Sequence, residues 1–295
     1  MHRPVEAEVL NNEFDKSELE KAYKDALVYA KTHYENFPVV SFLVPKHLRK
    51  HVAIIYWFAR TADDIADEGH IAYKERLEKL DHFESRLNEL LKGNFINRFE
   101  LALFSTIKER QLTARLFFNL LKAFKQDLTK KRYSTFGQLL EYCDNSANPV
   151  GRLILELSGI RDGKAFYLSD KICTALQLTN FWQDTTIDFK KDRVYYPAED
   201  MRKFGVEEKS FELKENNLNF KELVRYNVER TFKLFEEGKG LIGYLSGKLK
   251  YEIKWTILGG EEVLRKIEKN DYNVLRARPS LSKKDFSILF LKSFF

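Results

Sequence analysis

Apolar residues recur along the chain at three- and four-residue intervals, and no sustained run alternates apolar with polar. That period predicts helices throughout, at roughly 16–34, 46–67, 71–92, 98–109, 112–128, 135–158, 164–190, 219–247, 249–271 and 282–292. The six prolines mostly fall between these segments, as helix punctuation should. Pro45 suits a first-turn position, and Ser134 or Thr135 suits the N-cap of the helix that follows. Asn148-Pro149-Val150-Gly151 interrupts one helical pattern and predicts a kink. Without a low-complexity linker or a fixed-period repeat, residues 1–295 read as a single all-α domain, with residues 1–15 expected to be flexible. The polar connection from Phe189 to Glu208 is expected to act as a lid.

Two of the stripes carry acid where apolar residues are expected. The segment YWFARTADDIADE puts Asp63 and Asp67 four apart, with Arg60 and Tyr56 behind them on the same face. Val52, Tyr56, Ala59, Asp63 and Ala66/Asp67 form the stripe that this helix is expected to bury. The segment TNFWQDTTIDFKKDRVYYP repeats the anomaly, with Cys173, Gln177, Asn180, Asp184 and Ile187/Asp188 on one stripe. Like charges at i, i+4 destabilise a helix by a few tenths of a kcal/mol, and an unpaired buried carboxylate costs several kcal/mol. Buried ion pairs with Arg60, Arg152 or lysines would offset that cost. So would Mg²⁺, if the two acidic faces oppose each other across a cavity. Magnesium takes carboxylate and water oxygens and shares them with phosphate. The basic residues Arg60, Lys190, Lys191 and Arg193 nearby then suggest a diphosphate site.

Composition narrows the field. The net charge of +6 suits anionic partners, while 44% hydrophobic content is ample for a large core. Cys143 and Cys173 are the only cysteines, so no disulfide framework and a cytoplasmic location are expected. No stretch approaches the roughly 20 apolar residues of a membrane span, and the greasy run FSILFLKSFF is expected to pack on the body. The sequence contains no HExxH, CxxC, GxSxG or P-loop pattern, and the His47/His51 pair reads as exposed or packed rather than zinc-binding. Basic residues are scattered over the helices, which argues against nucleic acid.

With both acidic motifs in hand, the chain resembles the squalene/phytoene synthase family over roughly residues 25–280. The carriers are Arg60-Thr-Ala-Asp63-Asp64-Ile-Ala-Asp67-Glu68, Tyr142-Cys-Asp-Asn-Ser-Ala-Asn-Pro-Val-Gly151-Arg152, the Gln177 to Asp188 segment and Arg193-Val-Tyr-Tyr-Pro197. Within the family, His33-Tyr-Glu-Asn-Phe-Pro38, the Phe58 to Gly69 phrase and Ser146 to Arg152 look most like the bacterial hopanoid-pathway hydroxysqualene synthases. Asn36-Phe37 stands where relatives making phytoene or dehydrosqualene usually carry Ser-Phe.

The resemblance implies an isoprenoid-synthase helical bundle around a central cavity, with two facing Asp-rich helices. It implies a Mg²⁺-dependent conversion of presqualene diphosphate and water into hydroxysqualene, without NADPH. Asp63, Asp67, Asn180, Asp184 and Asp188 would hold the metal, and Asp64 would lie one residue off the face. Tyr56, Arg60, Tyr142, Asp63 and Asp184 would be catalytic, while Asn36, Phe37, Arg60, Gln177, Asn180 and Arg193 would contact substrate. Asn36, Asn148 and Glu35 are candidates to position the quenching water, and the Arg276-Ala-Arg278-Pro279 run lies where relatives place basic contacts. The implied partners are the prenyl diphosphate, an upstream presqualene diphosphate synthase and peripheral contact at the inner face of the membrane. The alternatives are a phytoene, dehydrosqualene or presqualene diphosphate synthase, or a non-catalytic scaffold on the same fold.

Overall fold

The computed structural model describes residues 16–32, 43–67 and 72–294, and among these the regular structure is helical with no strand. The segments expected at residues 1–15 and at Glu35, Asn36 and Phe37 lie outside the described residues. Contacts group into two compact units, one formed by residues 1–128 and 153–160 and the other by 129–152 and 161–295.

The first unit holds α1 (Lys16–Thr32), α2 (Arg49–Asp67), α3 (Tyr73–Leu91), α4 (Arg98–Arg110) and α5 (Ala114–Asp127). Helix α1 packs on α2 and α4, and α2 also meets α3 and α5. The reason is visible in α2, whose residues His51, Ile54, Ile55, Phe58, Ala62 and Ala66 are all buried. The Phe58 ring stacks on Phe83 at 5.1 Å and takes the edge of Phe117 at 5.2 Å.

One polar knot ties α1, α2 and α4 together. Thr106 Oγ1 lies 2.9 Å from both Tyr23 Oη and His51 Nδ1, and His51 Nε2 accepts from Arg110 Nη2 at 3.3 Å. Burial, and then the nearby charges of Lys50, Arg110 and His47, pull the His51 imidazole down to about 3. The ring is therefore neutral, and its 3.4 Å approach to Glu109 is no ion pair. His47 is exposed, so the histidine pair splits into one packed ring and one solvated ring.

The second unit comprises α6 (Phe136–Ser146), the start of α7 (Asn148–Leu157), α8 (Gly163–Gln183), α9 (Thr185–Lys190), α10 (Ala198–Lys203), α11 (Lys209–Glu212), α12 (Leu218–Gly238), a 3₁₀ turn (Lys239–Tyr244), α13 (Gly247–Lys269) and α14 (Lys283–Lys292). Helix α8 is its axis, packed by α6, α12 and α13. Thr135, rather than Ser134, caps α6 by accepting from Gln138 N at 3.2 Å. The expected kink is a break at Ala147, and Pro149 falls in the first turn of α7, where a missing N–H is harmless. Gly151 follows because a Cβ there would collide with Ser169 Oγ and Cys173 Sγ of α8.

The segment after α9 is not the lid that its polarity predicts. Val194, Tyr195, Tyr196 and Pro197 are buried. Val194 N donates to Lys131 O at 3.0 Å, Ala198 N to Tyr133 O at 2.9 Å and Glu199 N to Ser134 O at 3.0 Å. Helix α10 is then pinned by Asp200, whose carboxylate meets Arg230 at 2.6 Å, while that guanidinium covers the Phe136 ring. Four consecutive apolar or aromatic side chains gain more by burial than a mobile connection could keep.

Candidate functional site

In the first unit, α2 carries Tyr56, Arg60, Asp63, Asp64 and Asp67 over its last three turns. The apolar stripe that α2 buries runs through Ile55, Phe58, Ala62 and Ala66, rotated from the expected one. Tyr56, Ala59, Asp63 and Asp67 consequently sit half-buried at its edge. The cost of burying bare carboxylate is therefore mostly avoided, because these groups keep access to water. Arg60 supplies positive charge from the same helix, with Nε 2.6 Å from Asp64 Oδ1 and Nη1 3.4 Å from Asp63 Oδ2. Asp64, off the face as expected, also accepts from Tyr29 Oη of α1 at 3.4 Å. The Tyr29 ring in turn lies 6.3 Å from that of Tyr56.

The acidic ladder of the second unit is not one helix. Helix α8 ends at Gln183, and Asp184 has φ −99° and ψ 16° before α9 begins. Two i→i−4 hydrogen bonds nevertheless cross the break: Asp184 N donates to Asn180 O at 2.8 Å and Asp188 N to Asp184 O at 2.9 Å. The four-residue spacing of Asn180, Asp184 and Asp188 thus survives the joint. Most of α8 around this joint is buried, including Ala175, Leu178, Thr179, Phe181, Trp182 and Gln183. The stripe of Gln177, Asn180, Asp184 and Asp188 is instead half-open. Here too the sequence stripe is the accessible face of its helix and not the buried one.

Behind the ladder stands an aromatic wall. Phe181 stacks on Tyr195 with centroids 3.6 Å apart, and Tyr142 lies against Tyr133, Phe181 and Tyr195 at 5.7, 6.1 and 6.3 Å. Tyr142 is only 4% exposed. Arg193 joins the ladder through its backbone, donating N–H to Asp188 O at 2.9 Å. Its side chain shares a crevice with Asp188, Phe181 and Tyr195, too tight for a water.

The charge that answers Asp184 comes from far along the chain. Arg278, 94 residues on, forks onto it: Nε donates to Oδ1 and Nη2 to Oδ2 at 3.1 Å. The hydrogen bond to Asp184, reinforced by the charges of Asp184 and Asp188, holds the Arg278 guanidinium above its usual pKa. The sequence places Arg278 in a basic run without singling it out. Gln183 Nε2 donates to Pro279 O at 2.5 Å and fixes the adjoining backbone. Arg152, expected as a partner for the acidic stripes, pairs with Asp170 instead, at 2.9 Å through Nε and 2.5 Å through Nη2.

Asn148, a candidate to position the quenching water, lies at the junction of α6, α7 and α8. It is 3% exposed, its Nδ2 donates to Asp144 Oδ1 at 2.7 Å and its Oδ1 accepts from Thr174 Oγ1 at 3.0 Å. Both ends of the amide are used to staple α6, α7 and α8.

The donor set suits Mg²⁺. Among the described residues no three His, Cys, Asp or Glu side chains form a ready metal cage. Magnesium rarely uses one, taking one or two carboxylates and completing its shell with water and phosphate oxygens. Asp63 and Asp184 offer hard oxygens with 42% and 23% of the side chain exposed, which leaves room for that shell.

Residues 30–285 match the family model for squalene/phytoene synthase. A hydroxysqualene synthase of Sinorhizobium fredii is 30% identical over 250 residues, 84% of each chain. A phytoene synthase of Arthrospira platensis is 28% identical over 263 residues, 85% of this chain and 84% of its own. The crystal structure of squalene synthase HpnC from Alicyclobacillus acidocaldarius superposes with a TM-score of 0.83 at 34% identity, covering 88% of this chain and 97% of that one. The matched span takes in both acidic clusters, the Tyr142 wall and Arg278. On its fold and across nearly its whole length, the chain belongs to the squalene/phytoene synthase family.

Proposed function

We propose that the chain is a hydroxysqualene synthase, acting on presqualene diphosphate and water to give hydroxysqualene and diphosphate. The observation that carries the diphosphate chemistry is the Arg278 fork on Asp184, at the centre of a half-open Asn180–Asp184–Asp188 ladder. The choice of this reaction within the family is supported by hydroxysqualene synthases 30% and 31% identical over more than four-fifths of the chain. The Asn36-Phe37 departure supports it from sequence alone.

In this reading Asp63 and Asp67 in one cluster, and Asn180, Asp184 and Asp188 in the other, would hold Mg²⁺ with the diphosphate. Bound there, Mg²⁺ supplies Lewis-acid neutralisation of the leaving oxygens. Arg278 and Arg60 are poised to exchange a carboxylate partner for a diphosphate oxygen, so positive charge follows the group as its C–O bond breaks. Gln177, one turn before Asn180, and Arg193 orient the same group. Asn148 holds α6 and α7 so that Tyr142 keeps its place beside Phe181. Aromatic faces of this kind stabilise a carbocation by about 0.5–2 kcal/mol each. Water then adds to the cation and loses a proton, which balances the product without a hydride donor.

The test is incubation of purified protein and Mg²⁺ with presqualene diphosphate, without NADPH, and identification of the product. Hydroxysqualene is expected, with turnover reduced by about 10²–10³-fold or more in Asp63→Ala and Asp184→Ala. Inert presqualene diphosphate, alongside condensation of farnesyl or geranylgeranyl diphosphate, would replace this reading with a phytoene or dehydrosqualene synthase. Loss of Mg²⁺-dependent binding of any diphosphate analogue would leave only a scaffold.

A further inference from the structure

Helix α14 presents two unlike faces. Inward, Leu289 is buried, and the rings of Phe286 and Phe290 lie 6.2 and 5.6 Å from Trp255 of α13. Just past the helix, the Phe294 ring meets Tyr251 and Phe290, each at 4.9 Å. Its single carboxylate, Asp285, is spent on the body: it completes a capping box with Ser282 and pairs with Lys266 at 2.8 Å. That pairing draws the Asp285 carboxyl down to about 2. The expected packing of FSILFLKSFF is thus half of the picture.

Outward, the exposed residues of α14 are Lys283, Lys284, Ser287, Ile288, Leu291 and Lys292, with no acid among them. Ile288 is 41% and Leu291 62% exposed, three residues apart and so neighbours on one face. Lys284 and Lys292 stand one turn before and one turn after Ile288, and Phe294 adds a 43% exposed ring beyond Leu291. Lys248 of α13 is exposed one turn before Tyr251, the residue on which Phe294 rests.

We propose that the outer face of α14 docks on an anionic lipid surface, with Ile288, Leu291 and Phe294 inserted at the headgroup boundary and Lys283, Lys284 and Lys292 on lipid phosphates. Charge complementarity selects this occupant. A rim of lysines around aliphatic side chains matches an interfacial helix lying in the plane of the bilayer. No described helix is long and apolar enough to cross the membrane, so contact of this kind is peripheral. A second copy of the chain would instead have to bring this lysine rim against itself. The purpose of the contact, though not the contact itself, rests on the proposed reaction: a long apolar product must leave into lipid.

The experiment is co-sedimentation of the full chain with vesicles of phosphatidylcholine alone and of phosphatidylcholine with phosphatidylglycerol, at low and high salt. Binding is expected to the anionic vesicles and to weaken at about 1 M salt, where the screening length is about 3 Å. Each of Lys284→Gln and Lys292→Gln should weaken it by about fivefold. Ile288→Asp combined with Leu291→Asp should abolish it. Both positions are exposed, so these variants should keep the parent's melting temperature and its turnover of detergent-dispersed substrate. No binding to either vesicle overturns the proposal, as does binding that survives the paired aspartates. A dimer that the paired aspartates dissociate, with no vesicle binding, would assign the face to a second copy and overturn it too. A chain that binds anionic vesicles but fails to turn over presqualene diphosphate keeps the docking face and loses the reaction.

Discussion

The two acidic clusters solve one electrostatic problem by different means. On α2, Arg60 meets Asp63 and Asp64 from within the same helix, three and four residues away, and shares itself between two carboxylates. On the α8–α9 joint, Asp184 is met by Arg278, which gives both fork nitrogens to one carboxylate from 94 residues away. A helix-local pair forms whenever the helix forms and is worth a few tenths of a kcal/mol. A distant pair exists only when the intervening chain is folded in place. The second cluster therefore reports on the tertiary structure of its unit, while the first rests mainly on α2, with one long hydrogen bond from Tyr29 of α1. Under the proposed function, in which a carboxylate would be released for diphosphate, a single clamping arginine is also a more responsive device than a shared one.

The largest effect should come from reversing the clamp. Arg278→Glu would set a third carboxylate beside Asp184 and Asp188, and turnover should fall by at least about 10³-fold. Arg278→Lys keeps the charge but not the fork, and a loss of about tenfold is expected. Equal losses in the two variants, measured as kcat/KM at saturating Mg²⁺, would show that fork geometry rather than charge matters, and would sharpen the contrast with Arg60.

A stability measurement separates the units next. His51 in the first unit has a folded pKa near 3 against an unfolded value of 6.5. The unfolded chain thus binds the proton more tightly, and stability is full above about pH 6.5 and falls with acidification until about pH 3. Between pH 7 and pH 5 the loss should be about 2 kcal/mol. His51→Gln should remove most of this slope in urea melts followed at each pH. In the second unit, Asp285 has its carboxyl lowered to about 2, so the α14 cap weakens only as pH falls below about 4. An unchanged slope in His51→Gln would mean that the early acid loss arises elsewhere.

These differences also explain what could be read from the chain alone. Helix positions, and a cap at Ser134 or Thr135, were legible because period and capping are local. So was Arg60, since i+3 and i+4 neighbours are fixed once a helix is assigned. The burial of the acidic stripes was misread because both helices carry apolar residues around much of their circumference. In α2 the competing stripe of Ile55, Phe58, Ala62 and Ala66 is the more apolar of the two and wins the core. The break at Asp184 leaves no mark on the period, because the i→i−4 bonds continue through it. The Val194 to Pro197 anchor did have a signal, four apolar residues in a row, hidden by the charges on either side. Arg278 had none: nothing local to an Arg-Ala-Arg run says which guanidinium turns back towards Asp184.

The smallest effect gives the most direct test of the contrast. A double-mutant cycle on Arg278 and Asp184, and another on Arg60 and Asp64, would each isolate a pair energy from the effects of truncation. All four side chains are partly exposed, between 23% and 38%. Screening by water therefore keeps both couplings small, and an interaction of two surface ions is worth at most about 1 kcal/mol. Within that range the ranking is set by geometry. The Arg278 pair is forked, which adds a second aligned hydrogen bond, and should couple by about 1 kcal/mol. Arg60 keeps Asp63 as a second partner when Asp64 is removed, so its cycle should give about 0.3–0.5 kcal/mol. Raising the salt should shrink both, since neither pair is sealed from solvent. If the Arg60 cycle equals or exceeds the Arg278 cycle, the tertiary clamp adds nothing beyond a helix-local pair, and the α8–α9 joint is held in place by its aromatic wall alone.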